Sequence, residues 1–206
     1  LTDMSQPLIP SIGNALEIAE VMRAFETSQG AMVEVALELG TQLLLQAQMF
    51  LTETGARDRL RATLQDGSAK GRFGAMVRAQ GGPANFADRW QDYLEIAPAY
   101  QLRAANTGYL SEIDGAALGQ AVVTLGGGRQ REDDRIDHSV GLSDITPLGT
   151  YLRKGAPIAR LHCRSSKQAD IALRAVQAAL TLSSKPPVLP ALVIERIMPA
   201  EVSKHG

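Results

Sequence analysis

Cysteine is nearly absent from this 206-residue chain: Cys163 stands alone. A single cysteine excludes an internal disulfide and any zinc site built on thiolates, and it suits a reducing cytoplasm. With no reactive motif around it, Cys163 reads as a small apolar core residue. Histidine is almost as scarce, and His138, His162 and His205 are too scattered for metal-ligand spacing. One tryptophan, four tyrosines and four phenylalanines leave little for a base-stacking surface, so Trp90, Tyr93 and Tyr100 are assigned to packing at a domain junction. A net charge of −1 without Lys/Arg clusters argues against nucleic acid and anionic membranes as partners. Apolar runs such as Leu43-Leu44-Leu45 stop well short of the ~20 residues that span a bilayer. No basic segment precedes an apolar stretch at the start, and no internal repeat or low-complexity tract is present.

What is present is an ordinary globular composition, 45% apolar and 21% charged. A chain of this length can bury roughly 70% of its unfolded surface. After a short opening strand, the first half reads as helical. Between Asn14 and Phe25, residues Ala15, Leu16, Ile18, Val21, Met22 and Phe25 keep a 3.6-residue period, with Asn14 as the expected N-cap. The run from Ala31 to Leu51 is apolar almost all round and predicts a central helix buried on both sides. Further helices are expected over Arg57 to Asp66, Ala69 to Gln80 and Ala84 to Leu94.

The composition changes after Ile96-Ala97-Pro98, dividing the chain into 1–97 and 98–206. Beyond that point, strands are expected at Tyr100 to Ala105, Thr107 to Ile113, Ala121 to Leu125, Ile136 to Val140 and Pro157 to His162. A helix is expected over Asp170 to Leu182 and a last strand over Leu192 to Ile197. Gly126-Gly127-Gly128-Arg129 could cradle an anion on its free amides, but it lacks both the Walker and dinucleotide spacings and reads as a mobile hairpin connection. His138 beside Asp137 resembles a fragment of a triad, yet neighbouring strand residues face opposite ways. Glu17 and Glu20 lie one turn apart and read as helix carboxylates rather than an acid and base pair.

Two blocks near the start, Thr2-Asp3-Met4-Ser5-Gln6-Pro7-Leu8 and Gly13-Asn14-Ala15-Leu16-Glu17, resemble segments of the pyrimidine nucleoside phosphorylases. Gln80-Gly81-Gly82, Gly126-Gly127-Gly128-Arg129, Ile136-Asp137 with Val140-Gly141, and Gly149 followed by Gly155-Ala156-Pro157 extend the resemblance in order along the chain. The resemblance implies the C-terminal half of a polypeptide about twice as long. A start at Leu1 without an initiator methionine fits that expectation.

The fold it implies is α/β and α+β: the C-terminal portion of the α/β nucleoside-binding domain over 1–97, then an α/β-hammerhead-like domain over 98–206. The activity it implies is phosphorolysis of a pyrimidine nucleoside such as thymidine, with phosphate as co-substrate, no organic cofactor and a homodimeric parent. No catalytic residue is expected in this chain. A potassium ion is implied, held here by the backbone carbonyls of Leu8 and Ser11 and the carboxylate of Glu20. The stretch from Gly149 to Ala159 is also similar to the turn of biotinyl and lipoyl carriers. It lacks Met-Lys-Met, and Lys154 precedes Gly155, so no cofactor attachment is expected. A non-catalytic binding or scaffold module keeping the same fold is the alternative.

Overall fold

In the computed structural model, residues 1–197 are described. Five helices come first: α1 (Asn14–Thr27), α2 (Ala31–Gln46), α3 (Glu53–Gln65), α4 (Ser68–Ala79) and α5 (Phe86–Tyr93). Six short strands and two further helices follow: β1 (Ala99–Arg103), β2 (Gly108–Ile113), α6 (Gly115–Val122), β3 (Gly141–Ser143), β4 (Tyr151–Leu152), β5 (Pro157–His162), α7 (Ser166–Ala178) and β6 (Leu180–Ser183). The strands form two antiparallel three-stranded sheets, ordered β1-β5-β3 and β4-β2-β6. Helix and sheet are therefore mixed, with the strands confined to the second half.

Two hydrophobic clusters hold the molecule together. The larger joins both sheets to α6 and α7 through Leu110, Leu118, Val140, Leu142, Leu161 and Val176, none more than 1% exposed. The smaller sets Ala19 and Met22 of α1 against Phe86 and Trp90 of α5, with Phe25 and Phe73 packed around them. Trp90 thus belongs to the interior of the helical half, where its indole N–H donates to Glu26 at 3.3 Å, rather than to a junction.

Several expectations are corrected. The segment Ala121 to Leu125 is helical, because the Asp114 carboxylate caps α6 at the Ala117 N–H (2.9 Å) and Leu118, Ala121, Val122 and Leu125 fall on one helical face. A π-helical turn, Val123–Gly127, continues α6. Ile136 to Val140 forms no strand. The pairing begins at Gly141, because Asp137 turns back on the Ser139 N–H and hydroxyl. Gly126-Gly127-Gly128-Arg129 is no hairpin connection: a methyl at Gly127 or Gly128 would collide with Val122 or Val123, so these glycines are packed.

Helix α2 ends at Gln46 and buries only Val33, Leu37 and Thr41, while Leu39 and Leu43 stay exposed, so it is covered on one side. The N-cap of α1 is Gly13 rather than Asn14, whose amide instead donates to the Gly127 carbonyl at 3.3 Å. The expected helix over Asp170 to Leu182 starts earlier, at Ser166, since Ser165 accepts the Gln168 N–H, and its last residues pair as β6. The expected opening and closing strands shrink to a single bridge between Thr2 and Val193. The two-residue strand β4 was not foreseen.

Candidate functional site

The opening segment is held where α1 meets the second half of the chain. Ile12 and Leu142 exchange both backbone hydrogen bonds, at 2.9 and 2.8 Å, and the Ala15 N–H donates to the His138 carbonyl. The crossing needs glycine on both sides. Gly13 has φ +134°, and a methyl there would lie 2.5 Å from the Val140 carbonyl oxygen. Gly141 has φ +153°, and a methyl there would overlap the Ile12 carbonyl oxygen. The Glu17 carboxylate reaches back to the Gly13 N–H (3.0 Å), which satisfies the open first turn of α1. Glu17 therefore has a structural task.

Further along the same segment, the structure brings Ser11 and Glu20 together. Ser11 is 2% exposed, and its hydroxyl donates to Glu20 Oε1 at 3.1 Å. Leu8 lines the same hollow of about 280 Å³ as Glu20, Arg23 and Gly30. Among the described residues the Leu8 and Ser11 carbonyls accept no hydrogen bond, which leaves both open as hard oxygen donors. The carboxylate, however, is already paired: Arg23 Nη1 lies 2.7 Å from the same Oε1. A potassium ion on that oxygen would stand within a few ångströms of the guanidinium, a repulsion on the order of 4 kcal/mol at an effective dielectric near 20. With Oε1 already matched by Arg23 and Ser11, that oxygen as arranged does not fit a bound cation. Sequence reasoning missed Arg23, although its position three residues after Glu20 on one helix was the available signal.

On the other side of α1 an open cleft of about 790 Å³ lies between the helix, Tyr93 to Glu95 and the segment from Arg135 to Ser139. At its wall Arg164 binds both oxygens of Asp137 (Nε 2.8 Å, Nη2 3.2 Å) and Glu95 Oε1 (2.6 Å), joining the end of β5 to the approach to β1. The Arg164 guanidinium, aided by Ser139, holds the Asp137 carboxyl well below the usual carboxylate range. Asp137 in turn, with Glu95, raises the Arg164 pKa above its ordinary value. Asp137 is thus engaged by an arginine and not by its neighbour His138. No local signal marks this fork, since its partners lie 27 and 69 residues from Arg164.

His162 is buried between the Ala97 carbonyl (Nδ1, 3.0 Å) and the Ser143 hydroxyl (Nε2, 2.8 Å), a linker-docking role. Burial pushes the Cys163 thiol up, which makes the thiolate scarce. His205 lies outside the described residues. Among the described residues no group of three His, Cys, Asp or Glu side chains could hold a metal, and no helix is long and apolar enough to cross a membrane.

Residues 109–183 match the family model described as "Pyrimidine nucleoside phosphorylase C-terminal domain". The chain is 38% identical over 200 residues to the thymidine phosphorylases of Sinorhizobium fredii and Rhizobium meliloti, covering 96% of this chain. It belongs to the pyrimidine nucleoside phosphorylase family. The thymidine phosphorylase of Sinorhizobium medicae is 36% identical over 201 residues. The chain spans 46% of the length of each of these relatives, just under half. Gly13-Asn14-Ala15-Leu16-Glu17 and Val140-Gly141, two of the blocks that carry the sequence resemblance, are the two sides of the glycine crossing. Their meeting is a packing contact, and Glu17 supplies the helix cap.

Proposed function

We propose that this chain serves as the C-terminal part of a thymidine phosphorylase, a pentosyltransferase of pyrimidine nucleoside salvage. Its identity to thymidine phosphorylases over 96% of its length carries the reading. In the proposed reaction a phosphate oxygen attacks C1′ of thymidine and the C1′–N1 bond breaks. Its electron pair leaves on N1 of the pyrimidine, which takes up the proton that hydrogen phosphate gives up on forming the ester, and the products are thymine and 2-deoxyribose 1-phosphate. The contribution of this chain is framework: α1 and the glycine crossing form a rigid wall, and the second half is a domain of the α/β-hammerhead type packed behind it.

On this reading the groups that hold phosphate and pyrimidine lie in the remaining part of the polypeptide, and so does dimerisation. The side-chain chemistry here supports that division. Glu17 caps a helix, Asp137 is tied to Arg164, and Cys163 and His162 are buried in packing roles. The test is thymine release from thymidine by the natively expressed protein and by the 206-residue chain alone, each with and without phosphate. The proposal expects phosphate-dependent release by the native protein and none by the isolated chain. A native protein that releases no thymine favours the non-catalytic module. Turnover by the isolated chain overturns the division of labour.

A further inference from the structure

A largely buried carboxylate needs a positive partner, and in this chain Glu20 has one of its own. Its side chain is 16% exposed, and its Oε1 accepts from the Ser11 hydroxyl at 3.1 Å and from Arg23 Nη1 at 2.7 Å. Leaving such a charge unpaired is costly, and a guanidinium one turn along the same helix neutralises it. Arg23 does not simply trail into solvent: it helps line the hollow beside Leu8 and Gly30. Ser11 supplies a second donor from the opening segment, so the opening segment and α1 converge on one oxygen.

We propose that the Arg23 guanidinium acts as a built-in cation at Glu20, supplying the positive charge that a potassium ion would otherwise bring to this carboxylate. The protein is then insensitive to potassium. Arg23 is a positioning residue: it fixes Glu20 and, through Ser11, the opening segment, and touches no reacting atom. The inference rests on the family reading for the expectation of a metal, but not on phosphorolysis. Its test reads unfolding, so the two can fail separately.

The experiment compares unfolding midpoints of the natively expressed protein in potassium chloride and in choline chloride at equal ionic strength, for the parent and for Arg23→Gln and Arg23→Lys. The parent midpoint is expected to be the same in both salts. Arg23→Gln is expected to unfold earlier in choline and to recover at least half of that loss in potassium, because a bound ion stabilises the folded state by mass action. Arg23→Lys, which keeps the charge, is expected to remain insensitive to potassium. A potassium-dependent midpoint in the parent overturns the proposal. So does an Arg23→Gln midpoint that potassium fails to raise, which would leave Arg23 an ordinary surface ion pair.

Discussion

Gly13 and Gly141 cross back to back, each held at positive φ and each with a partner carbonyl where a side chain would stand. The reciprocal hydrogen bonds of Ile12 and Leu142 lock the crossing. It is the contact through which α1, and with it the smaller hydrophobic cluster, is registered against β3 and the larger cluster. Replacing either glycine by alanine is expected to cost about 2–4 kcal/mol or to prevent folding, since strain and overlap with backbone act together. Gly119→Ala, in the middle of α6 with open space around it, is expected to gain about 0.5–1 kcal/mol. Urea unfolding of the three variants checks both signs.

The Arg164 fork makes a pH-dependent contribution. The Asp137 carboxyl is held below its ordinary value by Arg164 and then Ser139. The stabilisation is therefore present above the unfolded pKa, about 3.9, and fades as pH falls toward the lower folded value. Asp137→Asn is expected to be less stable than the parent at pH 7 and to show a flatter stability profile below about pH 4. Unfolding midpoints from pH 7 down to about pH 3 test this; parallel profiles would contradict it.

Trp90 reports on the smaller cluster by itself, because it is the single tryptophan of the chain and packs against α1. Met22 is fully buried there, so Met22→Ala is expected to cost about 2–5 kcal/mol. We propose that 1–97 and 98–206 are separate structural units. On that account the variant lowers the midpoint followed by Trp90 fluorescence more than the loss of β-sheet signal by circular dichroism. Coincident shifts by the two probes would mean one cooperative unit.

Much of the helical half was legible because long periodic stretches overdetermine a helix. Helix starts were less so: Thr52 and Ser165 cap α3 and α7 ahead of the expected starts at Arg57 and Asp170. Ala121 to Leu125 misled because its β-branched residues, read without Asp114, look like a strand. Leu39 and Leu43 misled because apolar residues on both sides of a helix need not all be covered. Of the candidate site, Ser11 and Glu20 do meet, but through the Ser11 hydroxyl rather than the carbonyl that the resemblance implies. Arg23 was overlooked although it stands three residues after Glu20, because that spacing gains weight only once the carboxylate is known to be largely buried. Arg164, Asp137 and Glu95 meet only through the tertiary fold, so their spacing in sequence is uninformative.

The most direct test of the proposed activity is phosphorus NMR of the natively expressed protein incubated with thymidine and inorganic phosphate. The account predicts that the phosphate resonance declines as a sugar 1-phosphate ester resonance grows in equal amount, with thymine appearing in step. Thymine appearing without any phosphate ester, or no reaction at all, would contradict it.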